Sequence, residues 1–278
     1  MLAGYSNPLL MKTPIFFIVI IFLTCVQAIA QHPLVGTWEM ISVKGIGADG
    51  DPFFFDTTAV RETKIITPTH YMLIAWDVDQ DSLIFNRTMA GEVKLDGNKY
   101  IEVPTQASVQ IFDNVKADFF WKLEGDLFTQ WGTIVRPDGK KVVLEELIFK
   151  RATDIEPARA NPAIGTWKQI SGNSAAAEGK TSASFGKADQ GLLLVTPTHW
   201  MRMDHRNQKF AGVLYGTHTL NGDNVLKNIV YSSYPMKKND RFSSLKKING
   251  MKVQVVSPRI TLEGKPEARL VVLHCAGR

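Results

Sequence analysis

The residues of this 278-residue chain whose types could do polar chemistry fall into two small sets. The first half holds His70, Tyr100 and Glu102. Tyr100 and Glu102 are two apart, so on a strand they share a face. A histidine beside them would complete a polar cluster in an otherwise apolar pocket, the usual form of a small-molecule site. His70 with Glu102 would then be an acid–base pair. The plainer reading is a hydrogen-bonded network that satisfies the histidine. In the second half His199, Met201, Met203 and His205 alternate along one face. Thioether and imidazole suit copper, but six residues at about 3.3 Å each set the outer two roughly 20 Å apart. One ion cannot hold all four, and core packing is the expectation. No metal and no cofactor is expected. No Ser-His-Asp order or phosphate loop is present, and Gly45-x-Gly47 is followed by no helix pattern.

The elements that must position these residues come twice. Thr67-Pro68-Thr69-His70-Tyr71-Met72 returns as Thr196-Pro197-Thr198-His199-Trp200-Met201, and 196 − 67 = 129. Gly36-Thr37-Trp38 returns as Gly165-Thr166-Trp167 at the same offset, 165 − 36 = 129. Two matches at one offset indicate an internal repeat. Residues 37–43 alternate as a strand. Residues 62–67 form another, interrupted by Pro68. In 70–76, His70, Met72, Ile74 and Trp76 share one face and Tyr71, Leu73 and Ala75 the other, apolar on both. Such a strand belongs in a sandwich, or in a barrel wall with something packed outside it. Phe53-Phe54-Phe55 needs a cover, either a barrel mouth or the other domain. An Asp96-Gly97 turn joins two strands, and 117–124, 127–134 and 142–150 read as a meander. About eight strands in this half suffice to close a small barrel. The second half repeats the order: Ala211-Gly212 echoes Ala90-Gly91, and 242–248, 251–256 and 268–274 are strands.

A Gly-x-Trp on the first strand, followed by an antiparallel meander of this length, resembles the lipocalin and calycin barrels. The chain is more closely similar to bacterial lipocalin-like domains of unknown function found in exported proteins. Gly36-Thr37-Trp38, Thr69-His70-Tyr71-Met72, Ala90-Gly91 and Tyr100-Ile101-Glu102 carry that resemblance in the first half. The second half has Gly165-Thr166-Trp167, Thr198-His199-Trp200-Met201 and Ala211-Gly212, without a clear Tyr-x-Glu. The resemblance implies an all-β chain of two tandem barrels, 31–152 and 161–278, joined by a linker at 153–160. It implies a tryptophan closing one end of each barrel against a basic side chain, with Trp38 beside Arg151 and Trp167 beside Arg269. It implies a small-molecule cavity but no settled activity.

Residues 15–26 are an apolar run of signal-peptide length, flanked by Lys12 and followed by Ala28-Ile29-Ala30. The expectation is a signal peptide at 1–30 cleaved after Ala30, and a periplasmic or secreted bacterial protein with no stable membrane span in the mature chain. The mature chain keeps only Cys275, so no internal disulfide forms. Residues 31–152 carry 13 Lys/Arg against 18 Asp/Glu, or −5, and 161–278 carry 17 against 7, or +10. Opposite signs favour docking of the halves. Export, and lysine pairs without interleaved aromatics, argue against nucleic acid.

Three functions fit these observations. The leading one is a non-enzymatic carrier of a small apolar or amphipathic ligand, faced by His70, Met72, Trp76, Tyr100 and Glu102 in the first barrel and by His199 and Met201 in the second. The second is an interaction or scaffold module with solid barrels, motivated by Phe53–Phe55 and the charge asymmetry. The third is a small-molecule enzyme using His70 and Glu102.

Overall fold

Period-two alternation broken by tight turns builds an all-β structure, and among the described residues no helix is long and apolar enough to cross a membrane. The computed structural model describes residues 32–80, 82–109, 115–152, 164–176, 181–184, 189–221, 224–233, 241–249, 252–260 and 266–277. For 170–176, 181–184, 220–221, 224, 241–249, 252–260 and 266–277 it describes the strand course alone. The expected signal segment and linker lie outside the described residues.

The first half contributes β1 (Gly36–Ile46), β2 (Pro52–Asp56), β3 (Val60–Ile66), β4 (His70–Asp79), β5 (Ser82–Asp96), β6 (Lys99–Ala107), β7 (Lys116–Glu124), β8 (Leu127–Val135) and β9 (Lys141–Arg151). β1 and β3 to β9 pair in order, and β1 pairs with β9, so eight antiparallel strands close into a barrel. The phenylalanine cluster is a ninth strand rather than a loop. β2 pairs with the far half of β1, Val43 opposite Phe55 and Gly45 opposite Phe53, while Gly36–Glu39 pair with β3. Phe53 packs on the barrel core and stacks on Phe55 at 5.7 Å, whereas Phe54 stays 63% exposed.

The second half forms another sheet from β10 (Gly165–Ala176), β11 (Thr181–Ser184), β12 (Gln190–Val195), β13 (His199–Arg206), β14 (Lys209–Asn221), β15 (Asn224–Ser232), β16 (Arg241–Asn249), β17 (Lys252–Ile260) and β18 (Pro266–Gly277). It follows the same neighbour order, and its β10 pairs with β18. Register corrects one sequence equivalence. Gly91 stands opposite Tyr71, and the residue opposite Trp200 is Gly216, not Gly212. Both glycines let strands approach closely: a Cβ on Gly91 would lie 2.0 Å from the Val103 carbonyl oxygen, and one on Gly216 1.9 Å from that of Asn228.

The doubly apolar strand finds both its covers. Tyr71 and Leu73 point into the barrel core with Trp38, Phe119, Phe128 and Phe149. Met72, Ile74 and Trp76 point outward, with Ile65, into a seam completed by Leu192, Leu194, Met201, Met203, Val213 and Tyr215 of the second sheet. Trp76 meets Tyr231 edge-on at 5.1 Å, and Phe85 stacks on Phe210 at 5.7 Å.

The repeated Thr-Pro-Thr-His motif is the corner of this seam. The Thr67 amide donates to the His70 carbonyl at 2.9 Å and the His70 amide to the Thr67 hydroxyl at 3.1 Å, a turn repeated at Thr196 and His199. The same hydroxyls cross between the sheets. Thr37 Oγ1 lies 2.9 Å from Thr196 Oγ1, and Thr67 Oγ1 lies 2.6 Å from Thr166 Oγ1. Adding 129 to one pair's member from the first half gives the other pair's member from the second (37 + 129 = 166, 67 + 129 = 196).

Ile74 is fully buried at the centre of the seam. Ile74→Ala is therefore expected to cost about 2–5 kcal/mol in chemical denaturation. A loss under about 0.5 kcal/mol would mark the contact between the sheets as incidental.

Candidate functional site

Alternation along β4 decides where the expected site residues go. Neighbours on a strand face opposite ways, so His70 shares the outer face with Met72 and Trp76 while Tyr71 faces the barrel interior. Tyr100 and Glu102 lie inside, Tyr100 within the core. The structure therefore does not bring His70 to Tyr100 and Glu102, and an acid–base pair of His70 with Glu102 is ruled out by the wall between them. Met72, Trp76 and Met201 are seam residues, fully or nearly buried between the sheets. His199 packs beside them, its ring stacked on Tyr215 at 5.7 Å and its Nδ1 2.7 Å from the Thr198 hydroxyl. His205 Nε2 meets the Ala107 carbonyl oxygen at 3.2 Å across the same seam.

Inside the barrel, Glu102 has a partner that sequence reading missed. Lys64 Nζ donates to Glu102 Oε1 at 2.8 Å and to Gln130 Oε1 at 3.2 Å. The two charged side chains are 2% and 3% exposed. Lys64 stands opposite Trp38 in the β1–β3 ladder, so it lies just above the aromatic floor. Its ammonium sits 4.9 Å from the Phe149 ring centroid and 5.7 Å from that of Tyr100. Burial, then the Glu102 charge, push the Tyr100 hydroxyl well above its usual range, and the same two causes act in the same order on Tyr71. The Tyr71 hydroxyl meets no partner in hydrogen-bonding geometry, while hydrogen bonding to Glu102 adds to the upward push on Tyr100. Two residues along β3, Glu62 accepts from Arg87 Nη2 at 2.9 Å. Beyond it Val60, Ile134, Val142 and Phe53 pack on the core while staying partly open to solvent. The interior is thus layered, with an aromatic floor, a charged middle and an apolar rim. Lys64 had a sequence signal: its partner at the 129 offset is Leu193, so a cation stands where the other half has an apolar core residue.

The ladder register at the two tryptophans differs between the halves. The Arg151 guanidinium lies 4.1 Å from the Trp38 ring centroid, and its Nη2 donates to the Pro33 carbonyl at 2.8 Å. Trp38 Nε1 donates to the Leu34 carbonyl at 2.8 Å. Trp167 is buried as well, but register places it opposite Cys275 and places Arg269 opposite Ser174. Seven residues along β10 (174 − 167) is roughly 23 Å, so Arg269 does not stand where Arg151 stands. The Arg269 side chain lies outside the described residues. On the β13 face turned away from the seam, Arg202 instead binds Asp204, with Nε 3.0 Å from both carboxylate oxygens, and donates to Gln169.

No family model matches the chain, and no curated protein matches it. Among solved structures it is similar to a protein of unknown function from the DUF3598 family of Nostoc punctiforme, at 11% identity and a TM-score of 0.25, over 87% of this chain and 96% of that one. It is also similar to transferrin binding protein B of serogroup B Neisseria meningitidis, at 6% identity and a TM-score of 0.26, over 87% and 76%. A porin-like protein of Bacteroides uniformis matches at 8% identity and a TM-score of 0.25, over 89% and 99%. Likeness this distant carries no argument about what the chain binds.

Removing one member of a buried pair strands the other charge. Lys64→Met is expected to cost about 3–5 kcal/mol in guanidinium unfolding, and adding Glu102→Leu to restore most of it. On the outer face, burial and then the Lys168 ammonium hold the His70 imidazole below its ordinary 6.5, against the opposing pull of Glu92. A depressed histidine stabilises the fold above its unfolded value, and that contribution is lost as pH falls through the folded one. By NMR, His70 is expected to titrate below 6.5, to move part of the way back up in Lys168→Met, and to move further down in Glu92→Gln.

Proposed function

We propose that the chain is an exported tandem of two lipocalin-like barrels whose first barrel holds a small amphipathic molecule, with no cofactor and no catalytic step. The observation that carries this reading is the buried Lys64–Glu102 pair, with the Tyr71 and Tyr100 hydroxyls acted on by the Glu102 charge, between an aromatic floor and an apolar rim. Such a pair contributes less to folding than apolar side chains of similar volume would, and the corresponding position in the second half is Leu193. Recognition accounts for its placement better than stability does. The polar end of the ligand would meet Lys64, Glu102 and the two hydroxyls, and its apolar part the rim of Phe53, Val60, Ile134 and Val142. An apolar wall with a few convergent polar groups is the common form of a small-molecule site. The leader-like residues 1–30 support export to the periplasm or beyond. The interaction-module reading keeps one observation in its favour: Phe54 and the stacked Phe120–Trp131 pair lie on the exterior of the barrel.

Native mass spectrometry of residues 31–278 purified from the native host tests the proposal. A stoichiometric amphiphile is expected on the wild-type chain, and its loss from the Lys64→Met/Glu102→Leu variant while that variant stays folded. A bare wild-type chain, or equal loading of both, would overturn the carrier reading, and a bare chain would favour the interaction module.

A further inference from the structure

His70 opens on a cleft of about 430 Å³ between the first barrel and the second sheet. Glu92 and Gln106 come from the first barrel, and Lys168, Gln169, Gln190 and Gly191 from the second sheet. The volume lies within the span of about 300–1,000 Å³ usual for small-molecule sites, which favour domain boundaries.

Two amides give the cleft its chemistry. Gln169 is 6% exposed, and its oxygen accepts from Arg202. A guanidinium has no acceptor, so the amide must turn its oxygen to Arg202 and its NH2 away. Asp204, itself buried, fixes Arg202 through three contacts of 2.7–3.0 Å. The Gln169 NH2 is left buried without a hydrogen-bond partner. On the opposite wall, Gln106 Nε2 donates to Gln190 Oε1 at 3.1 Å, and the Gln106 oxygen is likewise buried and unpartnered. Buried amide atoms are rarely left unbonded. The cleft therefore offers a buried donor and a buried acceptor, with the Lys168 cation and the Glu92 anion also in its lining. His70, held in its neutral form near pH 7, adds no charge. Gly191 keeps the floor open, since a Cβ there would lie 2.9 Å from Asp204 Oδ1 and 3.0 Å from Gln169 Oε1. The arrangement occurs on one side only. At the 129 offset Gln169 corresponds to Met40 and Lys168 to Glu39.

We propose that this cleft is a second binding site, for a small zwitterion of the free amino acid type. The carboxylate would take the Gln169 NH2 and Lys168, and the ammonium group would take the Gln106 oxygen and Glu92.

The test is calorimetric titration of residues 31–278 with L-serine, L-leucine, L-glutamate, L-lysine and glycylglycine, with acetate and ethylammonium as half-ligand controls, while the His70 ring resonances are followed by NMR. At least one zwitterion is expected to bind and to move His70, with both controls far weaker. Gln169→Glu keeps an oxygen toward Arg202 but replaces the donor by an acceptor. It should weaken binding about tenfold or more. Lys168→Met, at an exposed position, should also weaken binding and leave the melting temperature unchanged. The proposal is overturned if no zwitterion saturates the protein up to about 10 mM, if acetate binds as well as the zwitterions, or if Lys168→Met binds like wild type.

Discussion

The apolar seam between the first barrel and the second sheet is the constraint on which the rest depends. β4 is buried on both faces, so neither side of it can be given to water without exposing Met72, Ile74 and Trp76 or the barrel core. Packing of this kind is strong but has little direction. Direction comes from the threonine corners, where each hydroxyl both closes its own Thr-Pro-Thr-His turn and bonds across to the other half. The register between the halves is therefore tied to the two hydroxyls, Thr67 and Thr196, that also close the turn within each half. A shift of one residue in β4 would exchange Met72, Ile74 and Trp76 with Tyr71, Leu73 and Ala75 between seam and core.

With the exterior of the barrel fixed by the seam, polar residues gather inside the barrel, on the far face of the second sheet and at the edge of the contact. The two halves use that freedom differently. The first buries Lys64, Glu102 and Gln130, and the second places Arg202, Asp204 and Gln169 where the first has Leu73, Ala75 and Met40. The bonds described within each charged set join residues of the same half. One wall of the His70 cleft is held in place by the second set, so an interior network on one side shapes a surface feature between the two.

Much of this was legible in the sequence. The 129-residue offset, the strand order, the Asp96-Gly97 turn and the doubly apolar character of β4 all follow from local pattern. Period-two alternation says which residues share a face, and it correctly grouped His70 with Met72, Ile74 and Trp76. It does not say which face is the inside, and a histidine and a glutamate of matching chemistry read as a pair although the barrel wall stands between them. A lone lysine on a strand reads as a solvated edge, and only comparison with Leu193 marks Lys64 as internal. The resemblance implies a basic side chain of the last strand beside Trp167, which points to Arg269, but register depends on bulges such as the shift between Gln169 and Ser171, which composition does not encode. Phe53–Phe55 were read as needing a cover without being recognised as a strand, because pairing partners lie outside any short window.

The exchanged threonine pairs carry a consequence for assembly. A contact in which position i of one module meets position j of the other, and j meets i, has the closed two-fold form. Once two modules meet through such a face, both copies of it are used up, and no complementary patch is left over for a third. The chain satisfies this face within itself. Within one chain the two copies of the face cover each other, and the Thr-Pro-Thr-His corners close the chain on itself.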